Sequence, residues 1–208
     1  MKKLLNELLM ALCIVGMAVS LSGCTNDEEE FPPLTTDFVV AQTNSAGILS
    51  SIRLDDGTAY DVTAQGVNTG VADTLLRCVA TYTLKEGGMQ LYDVIHIMSN
   101  NPVPVETFLE DNGLEESDLP RDPVNVISMW KSGGYINIRL GVLTTGNSRH
   151  AYAFCKDDVG KYSLLHQRPA NDAESYTQEV RLSMPVPDGE ESLMFSVNTY
   201  DGPYIRTF

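Results

Sequence analysis

The chain has 208 residues, with 28 acidic against 14 basic side chains and a formal charge of −14 at neutral pH. A surface this acidic repels phosphate, which argues against nucleic acid as a partner, and the sequence carries no basic patch suited to anionic lipid headgroups. The length suits one large or two small domains once a leader is discounted.

Residues 1–23 have the layout of a secretory signal. Lys2 and Lys3 open it, and Leu8 to Leu21 form an apolar run interrupted only by Ser20. That run is shorter than the roughly 20 apolar residues a spanning helix needs. It ends in Leu21-Ser22-Gly23-Cys24, which resembles the bacterial lipoprotein signal. The resemblance implies that Cys24 is lipidated on sulfur, becomes the new N-terminus and is the chain's contact with the membrane. Cleavage would remove Lys2, Lys3 and Glu7 and leave the chain one charge more negative.

Residues 24–36 read as a tether. Asn26-Asp27-Glu28-Glu29-Glu30 repels itself, and Pro32-Pro33 stiffens the end nearer the folded part. Acidic residues directly behind a lipidated cysteine resemble the surface-export signal of Bacteroidetes lipoproteins. The expected location is therefore the outer membrane, facing the cell surface.

Residues 37–98 read as short strands separated by turn signals. Phe38 to Thr43 and Ile48 to Leu54 come first. Asp55-Asp56-Gly57 then turns a hairpin into Ala59 to Thr63, and Gly87-Gly88 turns a second one between Leu75–Leu84 and Met89–Met98. Five short strands in so small a span predict a closed barrel of the oligonucleotide/oligosaccharide-binding (OB) type.

Residues 99–123 break the pattern with Pro102, Pro104, Pro120 and Pro123 and are strongly acidic, which predicts a linker. Val105 to Glu110 suits one helical turn. Residues 124–208 alternate cleanly. Ile136, Ile138, Leu140 and Val142 form one row against Tyr135, Asn137, Arg139 and Gly141. Val180, Leu182 and Met184 repeat the pattern, as do Leu193, Phe195 and Val197. Ser132-Gly133-Gly134 turns a hairpin. The expected fold is thus all-β, an OB-like barrel followed by an antiparallel β-sandwich, with almost no helix.

Of four cysteines, Cys13 belongs to the leader and Cys24 to the lipid. Cys78 and Cys155 fall in different predicted domains and are expected to be free and buried.

A specific resemblance lies in Asp122-Pro123-Val124-Asn125 and in Met129-Trp130-Lys131-Ser132-Gly133-Gly134-Tyr135-Ile136-Asn137-Ile138, with His150-Ala151-Tyr152, Leu164-Leu165-His166 and Glu174-Ser175-Tyr176 further on. These segments resemble the second half of the NigD-like lipoproteins of Bacteroidetes, and Leu54-Asp55-Asp56-Gly57-Thr58 is similar to the first. The resemblance implies an OB-type domain followed by a β-sandwich. It implies no established activity; a role in bacteriocin immunity is the usual suggestion.

Motifs for catalysis are weak. Ser128-Met129-Trp130-Lys131 has the Ser-x-x-Lys spacing of penicillin-binding enzymes, but on a strand those two side chains point to opposite faces. Gly146-Asn147-Ser148-Arg149-His150 lacks the final glycine and the following helix of a nucleophile elbow. His96, His150 and His166 show no metal-ligand spacing, and no motif calls for a cofactor or metal. The expected function is non-enzymatic binding of an unknown protein or glycan, with immunity and glycan-accessory roles as alternatives. The candidate ligand-binding residues are Trp130, Tyr135, Asn137 and Arg139, the last three on the row expected to face water.

Overall fold

The computed structural model describes residues 33–62, 67–86, 88–190 and 192–208. The leader, Cys24 and most of the tether lie outside these residues. Leu34–Phe208 forms one compact unit.

Its first part is a five-stranded antiparallel sheet built from β1 (Thr35–Thr43), β2 (Leu49–Leu54), β3 (Ala59–Asp61), β4 (Leu75–Lys85) and β5 (Gly88–His96), in the order β3-β2-β1-β4-β5. A bridge between Val62 and Met89 joins the two ends of the sheet and rolls it into a barrel. Alternation decides which side chains fill it: Val39 and Ala41 from β1, Ile52 from β2, and Cys78, Ala80 and Tyr82 from β4 all point inward with Met89. The intervening row, with Phe38 and Val40 paired to Val79 and Arg77, points out of the barrel. Val40, Arg77 and Val79 are nevertheless buried, because the second part of the chain covers them.

That second part is a sandwich of two sheets. A three-stranded antiparallel sheet holds β7 (Asn125–Ser132), β8 (Tyr135–Thr144) and β11 (Tyr176–Pro185), in the order β11-β8-β7. The other sheet runs β13-β12-β10-β9-β6, with β6 Val103–Pro104, β9 Ala151–Asp158, β10 Lys161–Gln167, β12 Met194–Thr199 and β13 Gly202–Thr207. The rows expected to form the core do so. Ile136, Ile138, Leu140 and Met184 are fully buried against Phe154, Tyr162, Leu193, Phe195 and Val197. Burying each large aliphatic or aromatic side chain stabilises the fold by about 1.5–3 kcal/mol. Two pairings depart from an antiparallel sandwich: β10 runs parallel to β12, and β6 parallel to β9.

Residues 99–123, expected to be a linker, are packed onto the sandwich. β6 extends the larger sheet, and helix α1 (Val105–Asn112) lays Val105, Phe108 and Leu109 on Leu119, Cys155 and Leu165. The helix stops at Gly113, which takes the left-handed conformation (φ 63°) that glycine adopts without steric cost. Cys78 and Cys155 are buried and free. No helix among the described residues is long and apolar enough to cross a membrane.

Candidate functional site at the junction of barrel and sandwich

The junction is organised by one strand pairing. β8 and β11 set Asn137 opposite Ser183 and Arg139 opposite Arg181. Because side chains alternate, all four lie on the face turned away from the sandwich core. The barrel covers this face unevenly. Asn137 and Ser183 are fully buried, while Arg139 and Arg181 keep 38% and 33% of their side chains exposed. The row expected to face water is therefore closed at Asn137 and partly open at Tyr135 and Arg139.

Arg77 of β4 fills the covered end. Its Nη1 and Nη2 donate to Asp55 Oδ1 and Oδ2 at 2.6 and 2.9 Å, Nη2 also donates to Asn137 Oδ1 at 2.8 Å, and Nε to Ser183 Oγ at 3.3 Å. Ser183 Oγ donates to Asn137 Oδ1, Ser132 Oγ donates to Asp55 Oδ2, and Asn137 Nδ2 donates to Ser132 Oγ. Burial acts to raise the Asp55 carboxyl, but the hydrogen bonds from Arg77 and Ser132 and the charge of Arg77 outweigh it and hold the group below its ordinary value. The Arg77 guanidinium also lies 4.1 Å from the centre of the Tyr135 ring, a cation–π distance. Gly133 fits beside this cluster for two reasons. Its φ of 58° suits the two-residue hairpin turn it forms with Gly134, and a Cβ there would collide with the Asp55 carboxyl.

Above the cluster a crevice of about 530 Å³ opens between the two halves. From the barrel it is lined by Asp37, Phe38, Leu54, Asp55 and Asp56, and from the sandwich by Trp130, Ser132, Arg139 and Arg181. Trp130 is half-buried, stands edge-on to Phe38 (5.1 Å, 86°) and donates from Nε1 to Ser132 Oγ. Both arginines use Glu179: Arg139 bonds it through Nε and Nη2, and Arg181 through Nε. Hydrogen bonds from Arg139 and then Arg181 pull the Glu179 carboxyl down to about 2. Asp37 accepts the Tyr82 hydroxyl on Oδ2.

Of the four residues singled out in the sequence, Trp130 and Arg139 thus line the crevice, whereas Tyr135 and Asn137 belong to the cluster beneath it. Asp37, Asp55, Arg77, Arg181 and Ser183 were not singled out. Asp55 and Arg77 lie on the barrel, and no local pattern signals that their side chains reach strands 77 and 60 residues further along the chain.

A second polar assembly lies in the sandwich. His150 Nδ1 and His166 Nε2 are 2.8 Å apart, so the two rings meet edge to edge in nearly parallel planes with their centres 5.0 Å apart. The Tyr152 ring lies nearly parallel to that of His166, with their centres 5.0 Å apart. His150 Nε2 meets Asp172 Oδ2 at 2.7 Å, and His166 Nδ1 meets the Asp122 carbonyl at 3.0 Å. Asp172 also accepts Thr144 Oγ1, Thr145 N and Thr145 Oγ1, which hold its carboxyl well below the usual range. Burial pushes His166 down. Among the described residues, no group of three or more His, Cys, Asp or Glu is arranged to hold a metal.

No family model matches the chain, and no curated protein is significantly similar to it. Its fold, an all-β barrel with a sandwich, is shared with solved structures. A NigD-like immunity protein from Bacteroides caccae is similar over 85% of this chain and 93% of that one, with a TM-score of 0.63 and 21% identity. A putative toxin-related protein from Parabacteroides distasonis is similar over 85% and 92%, with a TM-score of 0.69 and 18% identity. A protein of unknown function from Bacteroides vulgatus is similar over 84% and 90%, with a TM-score of 0.58 and 15% identity. The fold expected from the NigD-like resemblance is thus the fold observed.

Proposed function

We propose that this chain is a NigD-like, lipid-anchored, surface-facing protein that binds a ligand without covalent chemistry, and that the crevice between barrel and sandwich is its binding site. The observation that carries this reading is the crevice itself, floored by a buried cluster that holds its walls in fixed relation. A preformed concave site with a few oriented polar groups is where small ligands bind. Its volume lies within the roughly 300–1,000 Å³ usual for such sites. Asp55 is committed to Arg77, and Arg139 and Arg181 are committed to Glu179. Groups held in this way present a fixed surface for recognition and are poor proton acceptors.

Trp130 is the only tryptophan of the chain and lines the crevice. Its fluorescence therefore reports occupancy. The test titrates full-length protein with neutral oligosaccharides, uronic-acid oligosaccharides, nucleotides and short peptides. A saturable change with one class supports the reading, and no change with any class defeats it.

A second reading is immunity, favoured by the naming of one similar structure as an immunity protein. Under it, deleting the gene sensitises cells to a toxin secreted by competing strains, and the wild-type chain restores protection. Unchanged sensitivity to every producing strain tested would count against it.

A further inference from the structure

We infer that the ligand of the crevice is a neutral saccharide; this rests on the reading of the crevice as the binding site. Two unlike walls, one accepting and one donating, select that chemistry.

On the barrel side, Asp37 accepts the Tyr82 hydroxyl on Oδ2, and Asp56 accepts the Thr58 N–H on Oδ1 and bonds the Thr58 side chain as well. A carboxylate has about four lone-pair sites, so each keeps room for a further donor. On the sandwich side, Arg139 Nη1 and both Nη groups of Arg181 remain outside the bonds to Glu179. These nitrogens only donate. Phe38, Leu54, Val79 and Trp130 supply the apolar and aromatic part of the lining.

A ligand that serves both walls must accept on one side and donate on the other, with an apolar face in the middle. A hydroxyl does both at once. A pyranose ring carries several hydroxyls around its rim and presents C–H groups on its faces, which suits an aromatic platform. Simple ions serve one wall only. A phosphate or carboxylate would meet the arginines but face Asp37, Asp55 and Asp56, and the excess acid of the whole chain opposes it further. An ammonium would meet the aspartates and be repelled by Arg139 and Arg181. A neutral ligand binds without adding a charge to a half-enclosed site.

The experiment follows Trp130 fluorescence of the full-length protein during titration with short neutral gluco-, manno-, galacto- and xylo-oligosaccharides, with uronic-acid oligosaccharides, nucleotides and charged peptides run in parallel. The expected result is a saturable change with at least one neutral saccharide. Its affinity should be unchanged by added salt, since screening acts only on charge–charge attraction. Arg181→Met and Asp37→Asn, each shown by its thermal unfolding to remain folded, should weaken that binding about tenfold or more, the usual loss for a hydrogen bond to a charged group. Saturable binding of a charged class alone, with a steep salt dependence, overturns the saccharide assignment but leaves the crevice as a binding site. Binding of a neutral saccharide that both variants leave unchanged also overturns the assignment. No response to any class defeats both readings.

Discussion

Arg77 in the barrel donates to Asn137 Oδ1 in the sandwich across 2.8 Å, and the same guanidinium grips both oxygens of Asp55. With only 1% of its side chain exposed, this arginine is a buried charge whose partners come from both halves of the fold. Breaking a buried pair by removing one member leaves the other charge desolvated and uncompensated, which costs about 3–5 kcal/mol. Arg77→Leu should therefore lower the free energy of unfolding in urea by that amount. Adding Asp55→Ala should recover part of the loss, because it removes the stranded carboxylate. A single variant as stable as wild type would show that the cluster does not hold the junction together.

The same cluster sets an acid limit. Asp55 has its folded-state pKa depressed, so its contribution is complete above the ordinary carboxylate value of about 3.9 and is lost as pH falls through the depressed folded value. Unfolding free energy measured down a pH series should decline below that ordinary value, and the Arg77→Leu variant should show a shallower decline. Equal slopes in both proteins would detach Asp55 from Arg77.

The sandwich core was legible because Ile136, Ile138 and Leu140 alternate with polar neighbours, and a period of two on a strand means one buried face. The same rule misread Asn137. A polar residue between core residues ordinarily faces water, and only the arrival of Arg77 buries it. The signal was non-local, a lone arginine amid the apolar residues of β4. The two histidines were missed for a similar reason. His150 and His166 are sixteen residues apart, and only the β9–β10 pairing, which sets Tyr152 opposite His166, brings them together.

Glu179 offers a local check on the crevice wall. Its carboxyl sits at about 2 because Arg139 and then Arg181 donate to it. A carboxyl-detected NMR titration should find Glu179 ionised well below the ordinary glutamate range. Arg139→Ala should move its midpoint up toward the usual value of about 4.3. A midpoint already ordinary in wild type would mean the two arginines are not held by this group in solution, and the donor wall would lose its fixed geometry.

Anchoring is tested at Cys24. If the lipid on that sulfur is the membrane contact, Cys24→Ala should abolish incorporation of labelled fatty acid and shift the protein out of the membrane fraction. Stable anchoring takes two or more acyl chains, so the change should be near complete and not graded. A variant that stays in the membrane fraction at wild-type level, with its label intact, overturns the anchor.

The histidine string makes the sharpest prediction, by counting hydrogens. The Asp122 carbonyl at one end only accepts, and so does the Asp172 carboxylate, held ionised by Thr144 and Thr145 at the other. Three contacts lie between these ends, each shorter than or equal to 3.0 Å, and each needs one hydrogen. Two neutral imidazoles bring only two. The string therefore holds one more, and it belongs on His150, beside the ionised Asp172, because burial disfavours the charged form of His166. Nitrogen-15 NMR of the rings should find both nitrogens of His150 protonated and His166 neutral with its hydrogen on Nδ1. Asp172→Asn is the decisive variant. An asparagine amide donates to His150 Nε2, which removes the need for the third hydrogen. His150 should then become neutral with its hydrogen on Nδ1, while the hydrogen-bonded pair stays in place. Asp172→Ala, in contrast, leaves Thr144, Thr145 and His150 without their shared acceptor and should lower the melting temperature more than Asp172→Asn does. If His150 has the same protonation in wild type and in Asp172→Asn, the extra hydrogen is not held by the Asp172 carboxylate, and the string is not the charge-balanced unit its geometry requires.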